Sequence, residues 1–474
     1  MDQQFEDLVQ YVISFVKKRV LSEVDTPELL RKDIAPQDLL RELPISLRNK
    51  KQNTAAIKEI LERIIDASVE TNHPYFMNQM FGKTQPIAFI ADILIAMLNT
   101  SMYTYEVAPA LSLIEKEVIT QLGAKIWGKD TGDGVFTAGG SMSNMNALFL
   151  ARQHLVSQAK QKGLCNEKPL AIFVSEQAHY SFTKGVNFLG FGLDALIKIP
   201  SNAKARIDIE ALQRAILESK AQGRVPMMLI GIAGTTISGS FDDLESLARI
   251  AKEHKMWFHV DAAYGGSLLF SETYNSRLKG INQADSVTWN FHKVMGMTLS
   301  TASFLTREKG LLNKAFNVQA GYLFHQDDYD YDLGQKSLQG GRRPDAFKLW
   351  LTWKYLGTNG LQQHVEKLCK AAETMAQLVR KTSHLELFAP PEASIVCFRY
   401  VNPSMTDKNE NLLNKKIRDT LFLEGKIIFN YAELNQKIYL RCVLLDPMFT
   451  AKQLQHIIER VCTVGKQLSP DTEL

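Results

Sequence analysis

His259-Val260-Asp261-Ala262-Ala263-Tyr264-Gly265-Gly266 closes an apolar run that starts at Met256, and its reading decides the fold. A short, continuously apolar run bounded by small residues is the pattern of a strand buried on both faces, as in a parallel sheet. Asp261 then stands at the carboxyl end of that strand, where open α/β sheets bind their ligands. The alanines and glycines that follow leave room beside it for a flat molecule. A helix-capping aspartate is the alternative for Asp261 taken alone.

The same pattern repeats on either side. Residues 170–174, 195–199, 227–232, 286–289 and 302–306 are predicted strands, with helical periodicity between them at 208–217 and 244–255. Strands alternating with helices over residues 71–339 specify an α/β fold with a largely parallel sheet. Ahead of it, Phe5, Leu8, Val9, Val12, Ile13, Val16 and Val20 fall at helical spacing and 53–65 reads as a second helix, so the first 70 residues form a helical lead-in. The apolar stripe of the first helix needs a partner, either its own domain or a second subunit. Beyond the sheet, a long helix runs from 347 to 381 with a break near Gly357 and Gly360. Strand-like runs at 395–399 and 437–440 and a last helix at 451–464 complete a smaller α+β unit. The expected division is 1–70 helical segment, 71–350 large domain and 351–474 small domain.

Composition excludes several function classes. A formal net charge of +4 over 474 residues supports neither nucleic-acid binding nor a polybasic membrane face. The run from Ile87 to Leu98 is interrupted by Asp92 and is too short to span a bilayer. Five scattered cysteines without a CxxC pair read as reduced thiols, not as a disulfide framework or a zinc site, so no metal is expected. The acidic start lacks the basic region of a signal peptide, and a cytoplasmic protein is expected.

Three further stretches carry chemistry. Gly139-Gly140-Ser141-Met142-Ser143-Asn144 precedes an apolar helix reaching about Leu155. Glycines permit close backbone approach, and a helix N-terminus offers free N–H groups to a phosphate; a purely structural turn is the alternative. His179 follows the strand 170–174, where an imidazole can stack on a planar ring or move a proton, although a surface or satisfied core histidine would look the same. Lys293, in Asn290-Phe291-His292-Lys293, lies between two apolar runs. Desolvation there lowers an amine pKa and produces the neutral nucleophile of a Schiff base; a snorkelling lysine is the alternative. A phosphate cradle, a stacking imidazole, a carboxylate and an imine-forming lysine, in this order, meet the needs of pyridoxal 5'-phosphate.

With those residues in view, the chain resembles the group II pyridoxal-phosphate-dependent decarboxylases, in the branch of glutamate decarboxylase and cysteine sulfinate decarboxylase. The resemblance covers roughly residues 71–460 and includes His73-Pro74, Tyr103-Thr104-Tyr105-Glu106, Val287-Thr288-Trp289-Asn290, Gly321-Tyr322-Leu323-Phe324 and Gly341-Arg342-Arg343. It implies an aspartate-aminotransferase-like (type I) large domain. It makes Lys293 the lysine that holds the cofactor's aldehyde, Asp261 the partner of the pyridine nitrogen, and His179 and Ala263 the residues against the two ring faces. Gly139, Gly140, Ser141 and His292 fall on the phosphate side. Tyr322 falls on a mobile loop as the acid that protonates the α-carbon, with an ordinary loop aromatic as the alternative. The resemblance also implies a homodimer whose sites lie at the subunit interface. Two departures stand out: Phe291 where the family usually has proline, and Tyr264 where tryptophan is common, the latter expected beside the site and not in it.

The resemblance further makes Gln79 and Arg441 the residues that hold a substrate's distal acid, with a structural ion pair as the alternative for Arg441. Ser101 and Tyr103 resemble the cysteine sulfinate branch, which includes aspartate-acting relatives. The expected activity is decarboxylation of an acidic L-amino acid, cysteine sulfinate or aspartate ahead of glutamate. Another reaction on the same scaffold, transamination or a lyase step, and a non-catalytic regulatory relative are the competing readings.

Overall fold

The computed structural model describes residues 3–20, 29–47, 49–156, 158–165, 167–317 and 331–469. The lead-in is helical: α1 (Gln3–Val20), α2 (Pro36–Glu42) and α3 (Thr54–Ala67). Asn53 starts α3 by accepting the Ala56 N–H at 2.9 Å, the usual service of an N-cap asparagine. Next come α4 (Pro86–Leu98) and α5 (Pro109–Trp127), each with proline in its first turn, where a missing N–H is no loss. Among the described residues, no helix is long and apolar enough to cross a membrane.

Seven strands then build the large sheet: β1 (Asp133–Thr137), β2 (Leu170–Ser175), β3 (Leu196–Ile199), β4 (Val225–Ile232), β5 (Trp257–Asp261), β6 (Ser286–Asn290) and β7 (Ala302–Thr306). Their order is β1-β7-β6-β5-β4-β2-β3. β5 pairs in parallel with both β4 and β6, while β7 runs antiparallel between β6 and β1. All six predicted strands are present within one or two residues at their ends. β1 is an addition, a stretch ahead of the glycine turn for which the sequence predicts no strand.

Helices cover both faces. On one side α6 (Gly140–Leu155), α7 (Ala159–Lys162), α8 (Ser181–Phe188) and, after β7, α11 (Leu311–Phe316) enclose a core of Ala147, Leu148, Phe182, Ile230 and Phe304. On the other side α5, α9 (Ile209–Ala221), α10 (Leu244–Glu253) and the long α12 (Ala346–Lys381) enclose Leu122, Leu212, Leu247, Phe258 and Val365. That double cover explains why every residue of β5 and β6 is buried. Gly357, at φ 66 and ψ 173, breaks α12 where the sequence places a break.

The C-terminal unit holds a four-stranded antiparallel sheet ordered β10-β11-β9-β8. Its elements are β8 (Leu385–Leu387), β9 (Ile395–Tyr400), α13 (Asp407–Glu424), β10 (Asn430–Leu434), β11 (Lys437–Val443) and α14 (Ala451–Leu468). The architecture is therefore the α/β type expected, a mostly parallel sheet plus a smaller domain. One connection is not visible in the sequence. Met77 donates to Ile428 O at 2.7 Å and Val443 donates to Met77 O at 3.0 Å, so residues 75–77 lie along the small sheet.

Candidate active site

The N-terminus of α6 and the segments that follow β2, β4, β5 and β6 converge on one cavity of about 420 Å³. Gly139, Gly140 and Ser141 reach it from the start of α6, His179 from the turn after β2, Asp261 and Ala263 from the end of β5, and His292 and Lys293 from the turn after β6. All eight were singled out from the sequence, and strand ends along one edge of the sheet bring them together.

Glycine is required at two points of this wall. Gly139 has φ 120, a region closed to other residues, and open space surrounds the place a Cβ would occupy. At Gly140 a Cβ would stand 2.8 Å from Asn290 Nδ2. Strand β6 therefore abuts the helix start, and Gly140 and Ser141, first-turn residues that line the cavity, carry N–H groups for which an α-helix supplies no partner.

Asp261 is buried, accepts the Ala263 N–H at 3.1 Å through Oδ1, and accepts Asn144 Nδ2 at 2.9 Å through Oδ2. Burial pulls the Lys293 ammonium below its ordinary pKa; Asp261 opposes that pull and the Arg441 charge adds to it. The neutral amine is the form that attacks an aldehyde. Burial likewise lowers the His179 pKa, against the opposing charge of Asp261. Its Nδ1 accepts the Ser181 N–H at 3.2 Å. Burial pushes His292 down to about 4, partly offset by its hydrogen bond to Thr301, which holds Nδ1 at 2.9 Å from its carbonyl oxygen.

Other expected residues lie elsewhere. Arg441 is buried; its Nε donates to Ile237 O at 3.0 Å and its Nη1 to Asn78 O at 3.1 Å, while Nη2 has no partner. Among the described residues it forms no ion pair, so the alternative of a structural salt bridge in the small domain finds no partner. Gln79 is exposed and does not line the cavity. Ser101 and Tyr103 also lie off it; the Ser101 hydroxyl is buried without a partner, and Tyr103 packs against Gly334. Tyr322 lies outside the described residues.

Several wall residues were not singled out: Phe81, Gln177, Thr236, Leu299 and Ser300. Tyr264 is a correction. Expected beside the site, it lines the cavity, and its hydroxyl accepts the Ser394 N–H at 2.8 Å from the small domain. The residue after Ala262-Ala263 turns inward because Gly265 and Gly266 admit the chain against Phe241 and Trp289.

The cavity suits pyridoxal phosphate on its own terms. It offers a helix start open to an anion, a buried carboxylate, an amine held toward neutrality and an unpartnered polar atom, Asn290 Oδ1, on its wall. Fold and cavity together define a pyridoxal-phosphate-dependent enzyme of the α/β type. The chain belongs to the pyridoxal-dependent decarboxylase family, whose conserved domain matches residues 36–401. It is 36% identical over 477 residues to cysteine sulfinic acid decarboxylase of Mus musculus, covering 98% of this chain and 97% of that protein. Acidic amino acid decarboxylase GADL1 of Homo sapiens is 33% identical over 462 residues, covering 95% of this chain and 88% of that one. The crystal structure of mouse CSAD superimposes with a TM-score of 0.93 at 34% identity, covering 98% of this chain and 99% of that one. The protein is thus an amino acid decarboxylase that uses pyridoxal phosphate.

Proposed function

We propose that this enzyme removes the α-carboxylate of an acidic L-amino acid, cysteine sulfinate or aspartate ahead of glutamate, in the cytoplasm. The observation that carries the substrate class is Arg441. A buried guanidinium with two backbone carbonyls and one unpartnered nitrogen is costly unless an anion completes it. The Arg441 charge acts on Lys293, and its free nitrogen is the donor we assign to the side-chain acid of a substrate held there. The relatives named for cysteine sulfinic acid and acidic amino acids support the same class.

Bound pyridoxal phosphate supplies an electron-accepting ring conjugated to the substrate's α-carbon. Lys293 would hold the cofactor's aldehyde through the neutral amine that its burial favours. Asp261 would face the pyridine nitrogen, with His179 and Ala263 against the ring. Gly139, Gly140, Ser141 and His292 receive the phosphate. Tyr322 delivers the proton to the α-carbon, an assignment that rests on the family resemblance alone. Gln79, Ser101 and Tyr103 complete the substrate pocket across a homodimer interface. Support for the dimer comes from the exposed apolar face of α4, with Ile90, Ile93, Met97 and Leu98 each about half or more exposed, a surface a second copy would cover. Five free thiols agree with a reducing compartment.

The test is carbon dioxide release from cysteine sulfinate, aspartate, glutamate and an aromatic amino acid, by the native enzyme and by Arg441→Met. The acidic substrates are expected to turn over in the native enzyme. In the variant they are expected to lose about 10- to 100-fold in kcat/KM, the value of a charge-assisted pair. Faster turnover of the aromatic substrate, or keto acid formed without carbon dioxide, would reject the reading.

A further inference from the structure

Side chains two apart on a strand share a face, and register aligns those of neighbouring strands. His259 and Asp261 of β5 lie opposite Ser286 and Thr288 of β6, and Asn144 of α6, 2% exposed, reaches His259, Asp261 and Thr288. Its Nδ2 donates to Asp261 Oδ2 at 2.9 Å and to Ser181 Oγ at 3.0 Å. Its Oδ1 accepts the Thr288 hydroxyl at 2.7 Å and lies 3.3 Å from His259 Nε2.

We infer that Asn144 is a positioning residue for Asp261, held by Thr288 and His259 in the one amide orientation that donates to this carboxylate and directs it at the cofactor's ring nitrogen. The inference rests on the reading of Asp261 given above. The orientation of the amide follows from its partners. A carboxylate can only accept, so the amide must turn its N–H groups toward Asp261, which leaves its oxygen for Thr288 and His259. Facing an oxygen that only accepts, His259 Nε2 carries the ring's hydrogen. Its Nδ1, 2.8 Å from Ser286 Oγ, accepts the serine hydroxyl, and that oxygen in turn accepts Trp257 Nε1 at 2.9 Å. Burial pushes His259 down to about 4, so the ring has one hydrogen to place. Ser181, the amide's second acceptor, donates its backbone N–H to His179 Nδ1. One amide therefore orients both the carboxylate and, through Ser181, the imidazole on the cavity wall. The titratable groups that act on Asp261 are His259 on its own strand, His179 from the turn after β2 and Lys293 from the turn after β6; α6 contributes the neutral Asn144.

The test reads cofactor affinity, with pyridoxal phosphate titrated into apoenzyme and followed by its absorbance. Thr288 lies outside the residues that line the cavity. Thr288→Val keeps the volume and removes the hydroxyl, whereas Thr288→Ser keeps the hydroxyl and loses the methyl. The valine variant is expected to bind about tenfold more weakly and the serine variant within about threefold of native; a packing role predicts the reverse order. Asn144→Asp places a carboxylate beside Asp261, and the two share a proton. Thr288 and His259 stabilise the charge at position 144, so Asp261 takes the proton. Affinity is then expected to fall about 100-fold, as far as in Asp261→Asn, and to recover in neither variant as pH falls. Serine weaker than valine overturns the inference, as does native affinity in Thr288→Val and Asn144→Asp while Asp261→Asn is impaired. Native affinity in Asp261→Asn overturns both this inference and the reading of Asp261 beneath it.

Discussion

Arg342→Met offers a quantitative test of how the site's scaffold is held. Arg342 Nη1 and Nη2 donate to Glu115 Oε2 and Oε1 at 2.7 and 2.8 Å, and Oε1 also accepts the Phe136 N–H of β1 at 3.0 Å. Both side chains are almost fully buried, at 4% and 1% exposure. The pair therefore ties the segment before α12 to α5 and to the strand that leads into the glycine turn. Methionine at 342 leaves Glu115 charged in the interior with one backbone donor, which costs about 3–5 kcal/mol. At about 2.1 cal/mol/K per residue, a chain of 474 residues has an unfolding entropy of about 1 kcal/mol/K. The midpoint of thermal unfolding, followed by near-ultraviolet circular dichroism, is thus expected to drop by about 3–5 °C. Converting both residues to methionine removes the stranded charge, and most of the loss is expected to return. A single variant within 1 °C of native (about 1 kcal/mol on the same scale), or a double variant no more stable than the single one, would refute the reasoning.

Lys293→Ala is expected to abolish both the absorbance of cofactor held as an imine and carbon dioxide release, while the protein still unfolds cooperatively; retained turnover would remove Lys293 from its role. Gly140→Ala drives a methyl to within 2.8 Å of Asn290 Nδ2, and the shift needed at the helix start is expected to weaken pyridoxal phosphate binding by about tenfold, read by titration of apoenzyme. Three imidazoles, His259, His292 and His364, are pushed by burial from 6.5 down to about 4. Unfolding restores the higher value, so the unfolded chain takes up protons that the folded one refuses, and stability present above pH 6.5 is lost as pH falls toward 4. Each ring contributes at most about 3 kcal/mol. His364→Gln is expected to flatten the fall in melting temperature across that window, and an unchanged slope would count against its burial as a neutral ring.

The sheet was legible because its central strands are covered on both sides and so read as unbroken apolar runs. β1 was not, since Asp133 and Gly134 argue locally against a strand. What makes it one is pairing with β7, where Gly134 lies so close that a Cβ would meet Leu305 Cδ2 at 2.6 Å. Lys293, Asp261, His179 and the glycines were legible because each breaks its local pattern at a strand end or helix start. Asn144 gave a weaker signal: one polar residue among Ser141, Ser143 and Asn146 in the first turns of α6, whose partners on β5 and β6 are set by register and invisible in one dimension. Tyr264 was misplaced for a similar reason, because its hydroxyl is claimed by Ser394, 130 positions away. Gln79, Ser101 and Tyr103 rest on the resemblance alone, and a single chain does not bring them to the cavity.

The strip at residues 75–77 has a consequence for how the protein is made. Its backbone partners, at 428 and 443, are separated from it by most of the polypeptide, a loop whose closure is entropically expensive and slow. During synthesis this strip has no edge to join until residues 428–443 have left the ribosome. A stretch translated much later is therefore what secures this strip, and a nascent chain halted before residue 428 would carry Tyr75, Phe76 and Met77 without those partners, a ready target for a chaperone.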